Sequence, residues 1–147
     1  MAQNTFRLKV VQEVAQKHCD TAATRLGMLN VEVAKADQKL QMLIDYREDY
    51  RQRFRNTLNT DVHSAGWKNF QQFLVKLDEA IDQQRGACKF ARHAVAGGQR
   101  EWQAKQVKVK AFDSLEQRHQ VKVEERLKKI EQLATDEYAS RAYHQKG

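Results

Sequence analysis

No proline interrupts the 147 residues and only 6 are glycine, so almost nothing in the chain forces a helix to end. Along most of its length apolar residues recur in steps of three and four, the spacing that keeps one face of an α-helix apolar. The longest series starts at Trp67 and Phe70 and runs through Leu77, Ile81, Cys88, Val95, Trp102, Phe112 and Val123 to Ile130 and Leu133. Fourteen of its twenty positions are apolar, where the chain-wide 41% would place about eight. Such a heptad repeat is the seam of a coiled coil.

Before residue 59 the spacing reads as two registers. The first is Leu8, Val11, Ala15, His18 and Ala22; the second takes in Leu26, Leu29, Val33, Ala36, Leu40, Leu43, Arg47, Tyr50, Phe54 and Thr57. The step of four from Ala22 to Leu26, where a heptad needs three, predicts a stutter that locally unwinds the supercoil. The segment Asn59-Thr60-Asp61-Val62-His63-Ser64-Ala65-Gly66 is rich in turn and cap residues, and the chain is expected to reverse there. The predicted fold is all-α: a single domain over residues 1–147, with a helix at about 4–59, a turn at about 60–66 and a helix at about 67–141. The two long helices form an antiparallel coiled-coil hairpin. At ~1.5 Å per residue the first helix is roughly 80 Å long and the second roughly 110 Å, so the second should overhang near the termini.

With a turn near residue 63, facing residues have numbers adding to about 127. Cys19 and Cys88 then lie roughly 30 Å apart, which excludes a bond between them and leaves both as small seam fillers. Gly97 and Gly98 fall opposite Leu29 and Asn30, close to the stutter. Each glycine costs ~1 kcal/mol against alanine inside a helix, so a weak waist is expected there.

A two-helix seam is narrow, and a chain of this kind encloses no deep pocket. There is no phosphate-cradling loop, nucleophile elbow or CxxC pair, and His18, His63, His93, His119 and His144 are scattered without metal-ligand spacing. No catalysis, cofactor or metal is expected. No apolar run suits a signal peptide or a membrane span, so a cytoplasmic protein is expected. The net charge of +7 is concentrated in mid-chain: seven basic residues from Arg85 to Lys110 stand against the single acid Glu101. Nucleic acid, anionic lipid or an acidic protein could each answer such a patch. Trp102 alone between Phe90 and Phe112 is a poor stacking platform, which disfavours nucleic acid. A plain structural coiled-coil adaptor is the other alternative.

Heptad positions place Leu43, Tyr46, Tyr50, Phe73, Leu77, Ala80 and Gln84 in one stripe along one flank near the turn. Some of these residues close the seam edge, and the clustered aromatics beyond it suit a protein-binding surface.

The segments MLIDYREDYR at 42–51, LNTDV at 58–62 and WxxFQQFLxxLDxAI from Trp67 to Ile81 resemble those of the FliJ family, components of the bacterial flagellar type III export apparatus. The likeness is close over residues 37–85; outside them only coiled-coil character matches. It implies a fold similar to the central stalk subunit of rotary ATPases. It also implies partners: the hexameric export ATPase, which receives the helical ends, the transmembrane export gate protein, and export chaperones. The gate-binding cluster of the family falls on Leu43, Tyr46, Tyr50, Phe73, Leu77 and Ala80, with Lys39 and Gln84 standing where better-known members carry Gln and His. Contacts with the ATPase are expected from Arg7, Lys9, Arg126, Lys128 and Lys129. Membrane association would be peripheral, through partners at the flagellar base.

Overall fold

The computed structural model describes residues 2–58 and 64–146, all of them helical: α1 spans Ala2–Leu58 and α2 spans Ser64–Lys146. The reversal expected near residue 63 falls on residues 59–63, outside the described residues. Ser64 to Gly66, read above as turn, belong to α2, since a short polar residue suits the start of a helix as well as a turn. The helix also continues beyond residue 141, because neither proline nor glycine intervenes before Gly147.

Contacts gather into two compact units, Asp20–Gln103 and Met1–Cys19 with Ala104–Gly147, and each is described by itself. In the first, Arg47 reaches Asp78, Asp37 pairs with Arg92 and Arg25 with Glu101, so the two helices run antiparallel. Its core is a single file of seam residues: Ala22, Phe70, Leu77, Ile81 and Cys88. In the second unit Ala15 and Cys19 are buried, and Thr5 and Gln12 reach His119 and Glu116. Both cysteines are buried free thiols, as their seam positions imply.

Two expectations change. The α1 seam shows no stutter: its buried and half-buried positions step from Leu8 through Gln12, Ala15, Cys19, Ala22 and Leu26 to Phe54 in unbroken fours and threes. Val11 is 41% exposed and His18 is exposed, while the polar Gln12 occupies the seam. Gln12 is admitted because its amide nitrogen donates to Glu116 Oε2 at 2.6 Å and to the Phe112 carbonyl at 3.5 Å. A buried amide with partners loses little by leaving water.

The pairing is also shifted toward the start of α2. Phe54, expected opposite about residue 73, stacks on Phe70 with centroids 3.8 Å apart. With Leu26 of α1 and Trp67 of α2 at heptad position a, Phe54 is an a residue and Phe70 a d residue, so position a packs against position d of the facing helix.

At the expected waist the two glycines differ. Gly98 is buried, and a Cβ built on it would lie 2.8 Å from Leu29 Cδ1 and 3.5 Å from Leu26 Cδ1. The missing side chain is what lets the two leucines approach. Gly97 has nothing within 4 Å of the same construction. Gly97→Ala should therefore raise stability by about 0.5–1 kcal/mol, while Gly98→Ala should gain less because Leu29 must move. Urea midpoints compare the two, and equal gains would contradict the close approach.

Candidate functional site

An aromatic ladder occupies the turn-proximal part of the Asp20–Gln103 unit. Tyr46 meets Phe73 edge-on at 6.1 Å and 78°, Tyr50 lies between Phe73 at 4.6 Å and Phe70 at 5.2 Å, and Phe54 sits between Phe70 and Trp67. Side chains from α1 and α2 alternate along it. Heptad spacing brings this about: Tyr50, Phe54 and Phe70 are seam residues, while Tyr46 and Phe73 stand one position outside on the same flank.

The seven flank residues separate by depth. Leu77 is 7% exposed and belongs to the core. Leu43, Tyr50, Phe73 and Ala80 are half-buried, and Tyr46 is 51% exposed. Gln84 is half-buried, and its amide nitrogen donates to the Ala36 carbonyl at 2.9 Å. Lys39 is exposed. Tyr46 packs edge-on against Phe73. The flank thus presents Tyr46 and the rims of Leu43, Phe73 and Ala80. Beneath them Arg47 takes a seam position, donating to Asp78 Oδ1 at 2.8 Å.

Sequence reasoning passed over Met42, which is 70% exposed and shares a shallow groove with Leu43, Asp45, Tyr46 and Asp49. The signal was there to read, an apolar residue off the seam beside the stripe.

In the mid-chain basic stretch Arg92 is answered from across the seam by Asp37, while the one acid, Glu101, is taken up by Arg25 of the facing helix. Arg25 grips both oxygens of Glu101 at 3.1 and 3.2 Å, and Arg92 holds both oxygens of Asp37 at 2.9 and 3.0 Å. Trp102 is half-buried. Burial, with the adjacent Asp37 carboxylate, pushes the Cys88 thiol up, which keeps it protonated and a poor nucleophile. Among the described residues no group of three or more His, Cys, Asp or Glu could hold a metal, and no helix is long and apolar enough to cross a membrane.

In the other unit Arg7, Lys9, Arg126, Lys128 and Lys129 are all exposed. Arg7 rims a groove with Leu8, Val11, Phe112, Leu115 and His119. From Gln120 to Gln145 every residue of α2 is exposed, including Ile130 at 57% and Leu133 at 66%. This is the overhang expected from the unequal helix lengths.

A family model described as flagellar FliJ protein matches residues 4–147. The chain is 30% identical over 135 residues to the flagellar FliJ protein of Salmonella typhi, and 29% identical over 135 residues to that of Escherichia coli (strain K12). Each alignment covers 92% of this chain and 92% of the relative.

Proposed function

The chain belongs to the flagellar FliJ family, and from that premise we propose that it serves flagellar protein export as a non-catalytic subunit that docks partners on a coiled coil. The observation that carries this reading is the flank at the aromatic ladder. Tyr46 stands half out of the surface yet is held edge-on by Phe73. A rigid, part-exposed aromatic with an apolar rim loses little freedom on binding and suits an anchor in a partner's pocket. This flank is the proposed docking surface for the transmembrane export gate.

The terminal unit is the proposed contact with the hexameric export ATPase, through Arg7, Lys9, Arg126, Lys128 and Lys129. Its exposed cations and unpaired helix suit insertion into a larger assembly, in the manner of a rotary stalk. Coupling of ATP hydrolysis to export, contact with export chaperones, and a cytoplasmic location peripheral to the membrane complete the reading. Nucleic acid is left out of this reading, in keeping with a half-buried Trp102 that offers little stacking surface.

Tyr46→Ala should weaken binding to the purified gate protein by about 2 kcal/mol, roughly thirtyfold in Kd, with helicity unchanged. Unchanged gate binding accompanied by a drop of several degrees in Tm would instead make Tyr46 part of the core. Capture of the export ATPase on the immobilised chain from a flagellated cell lysate tests the wider assignment, and loss of that capture in the Lys128 and Lys129 charge reversals tests the terminal contact.

A further inference from the structure

We propose that the C-terminal stretch of α2 pairs antiparallel with the same stretch of a second copy of this chain. Within the terminal unit, α1 starts at Ala2, and Thr5 bonds to His119 at 3.2 Å. α1 as described extends three residues beyond Thr5, whereas the seam pattern of α2 continues for two heptads past His119, and every residue from Gln120 to Gln145 is exposed. Val123, Leu127, Ile130 and Leu133 are 36%, 55%, 57% and 66% exposed. They extend the face that Phe112 and His119 bury farther back.

Two relations already seen between α1 and α2 fix how such a stretch would pair. Position a packs on position d, as Phe54 does on Phe70, and the flanking g positions meet each other, as Arg25 meets Glu101. Applied to the stretch itself, they set Ile130 against Leu133 of the second copy and Val123 against Ser140. On the flanks Lys129 comes beside Asp136 and Leu127 beside Ala134. Two-fold symmetry makes each pairing occur twice. The overlap runs from Gln120 to Tyr143, so it fits inside the overhang and the second copy does not collide with α1.

Charge selects this alignment. A slip of one heptad brings Lys129 against its own copy. A parallel arrangement stacks Glu137 on Glu137. Both place like charges at the seam or its edge. The surface overlaps the one assigned above to the ATPase, so self-pairing and ATPase binding would exclude each other. The pairing itself is independent of that assignment.

Sedimentation equilibrium on the purified full chain tests it. The mass should rise from 17.1 kDa toward twice that value between micromolar and millimolar concentration. Ile130→Asp should remain monomeric throughout with unchanged helicity, because that side chain has no intrachain packing to lose. Lys129→Glu and Asp136→Lys should each weaken pairing about tenfold, and the double variant should restore it. A monomer at every concentration would overturn the proposal while leaving ATPase binding open. A dimer indifferent to these substitutions, or one dissolved by Tyr46→Ala, would place the interface elsewhere and overturn it too.

Discussion

Phe70→Ala should lower the unfolding free energy by about 3–5 kcal/mol. Phe70 is 9% exposed and lies at the centre of the ladder, stacked on Phe54 at 3.8 Å and 10°, on Tyr50 at 5.2 Å and 18°, and tilted against Trp67 at 6.0 Å. Truncation removes the buried ring, opens a cavity between two helices that have no third layer to fill it, and breaks aromatic pairs worth about 0.5–1.5 kcal/mol each. Phe70→Leu should recover about half of the loss. Urea denaturation followed by circular dichroism reads both variants, and a cost below about 1 kcal/mol for alanine would mean the ladder does not hold this end together.

The second large effect is a contrast between identical heptad positions. Ile81 is 1% exposed and Ile130 is 57% exposed, although both occupy position a of the same helix. Ile81→Ala should cost about 2–4 kcal/mol, the transfer of its lost methyl groups plus a cavity, whereas Ile130→Ala should fall within about 0.5 kcal/mol in dilute solution. Equal losses would show that something covers the overhang in the isolated chain. The comparison separates periodicity, which both residues satisfy, from burial, which needs a partner helix.

That separation also explains what could be read beforehand. The all-helical fold, the seam of α2 and the overhang follow from spacing and length, because every seam position from Phe70 to His119 is buried or half-buried. The stutter was an error with a definite cause. Val11 is apolar and Gln12 is not, so periodicity alone prefers Val11, and the bond that admits Gln12 ends on Glu116, about a hundred residues away. The pairing offset depends on the geometry of the reversal, which composition does not encode. Gly98 shows the same limit, since its propensity predicts weakness while the leucines it admits supply close packing. On the flank, sequence placed Tyr46 and Phe73 on the same side of the hairpin. It could not tell that Leu77 lies underneath or that Gln84 is committed to the Ala36 carbonyl.

The polar residues at the seam have a further consequence. Gln12 on Glu116 and the Phe112 carbonyl, Arg47 on Asp78, and Gln84 on the Ala36 carbonyl each depend on particular acceptors on the opposite helix. Sliding either pair of helices by a heptad would keep much of the apolar face matched while separating these half-buried donors from their acceptors, at about 1 kcal/mol apiece. A seam of leucines would be stronger but indifferent to such slips. These three residues act as checks against misalignment, at least one within each unit, so the chain gives up cohesion to have a single way of closing.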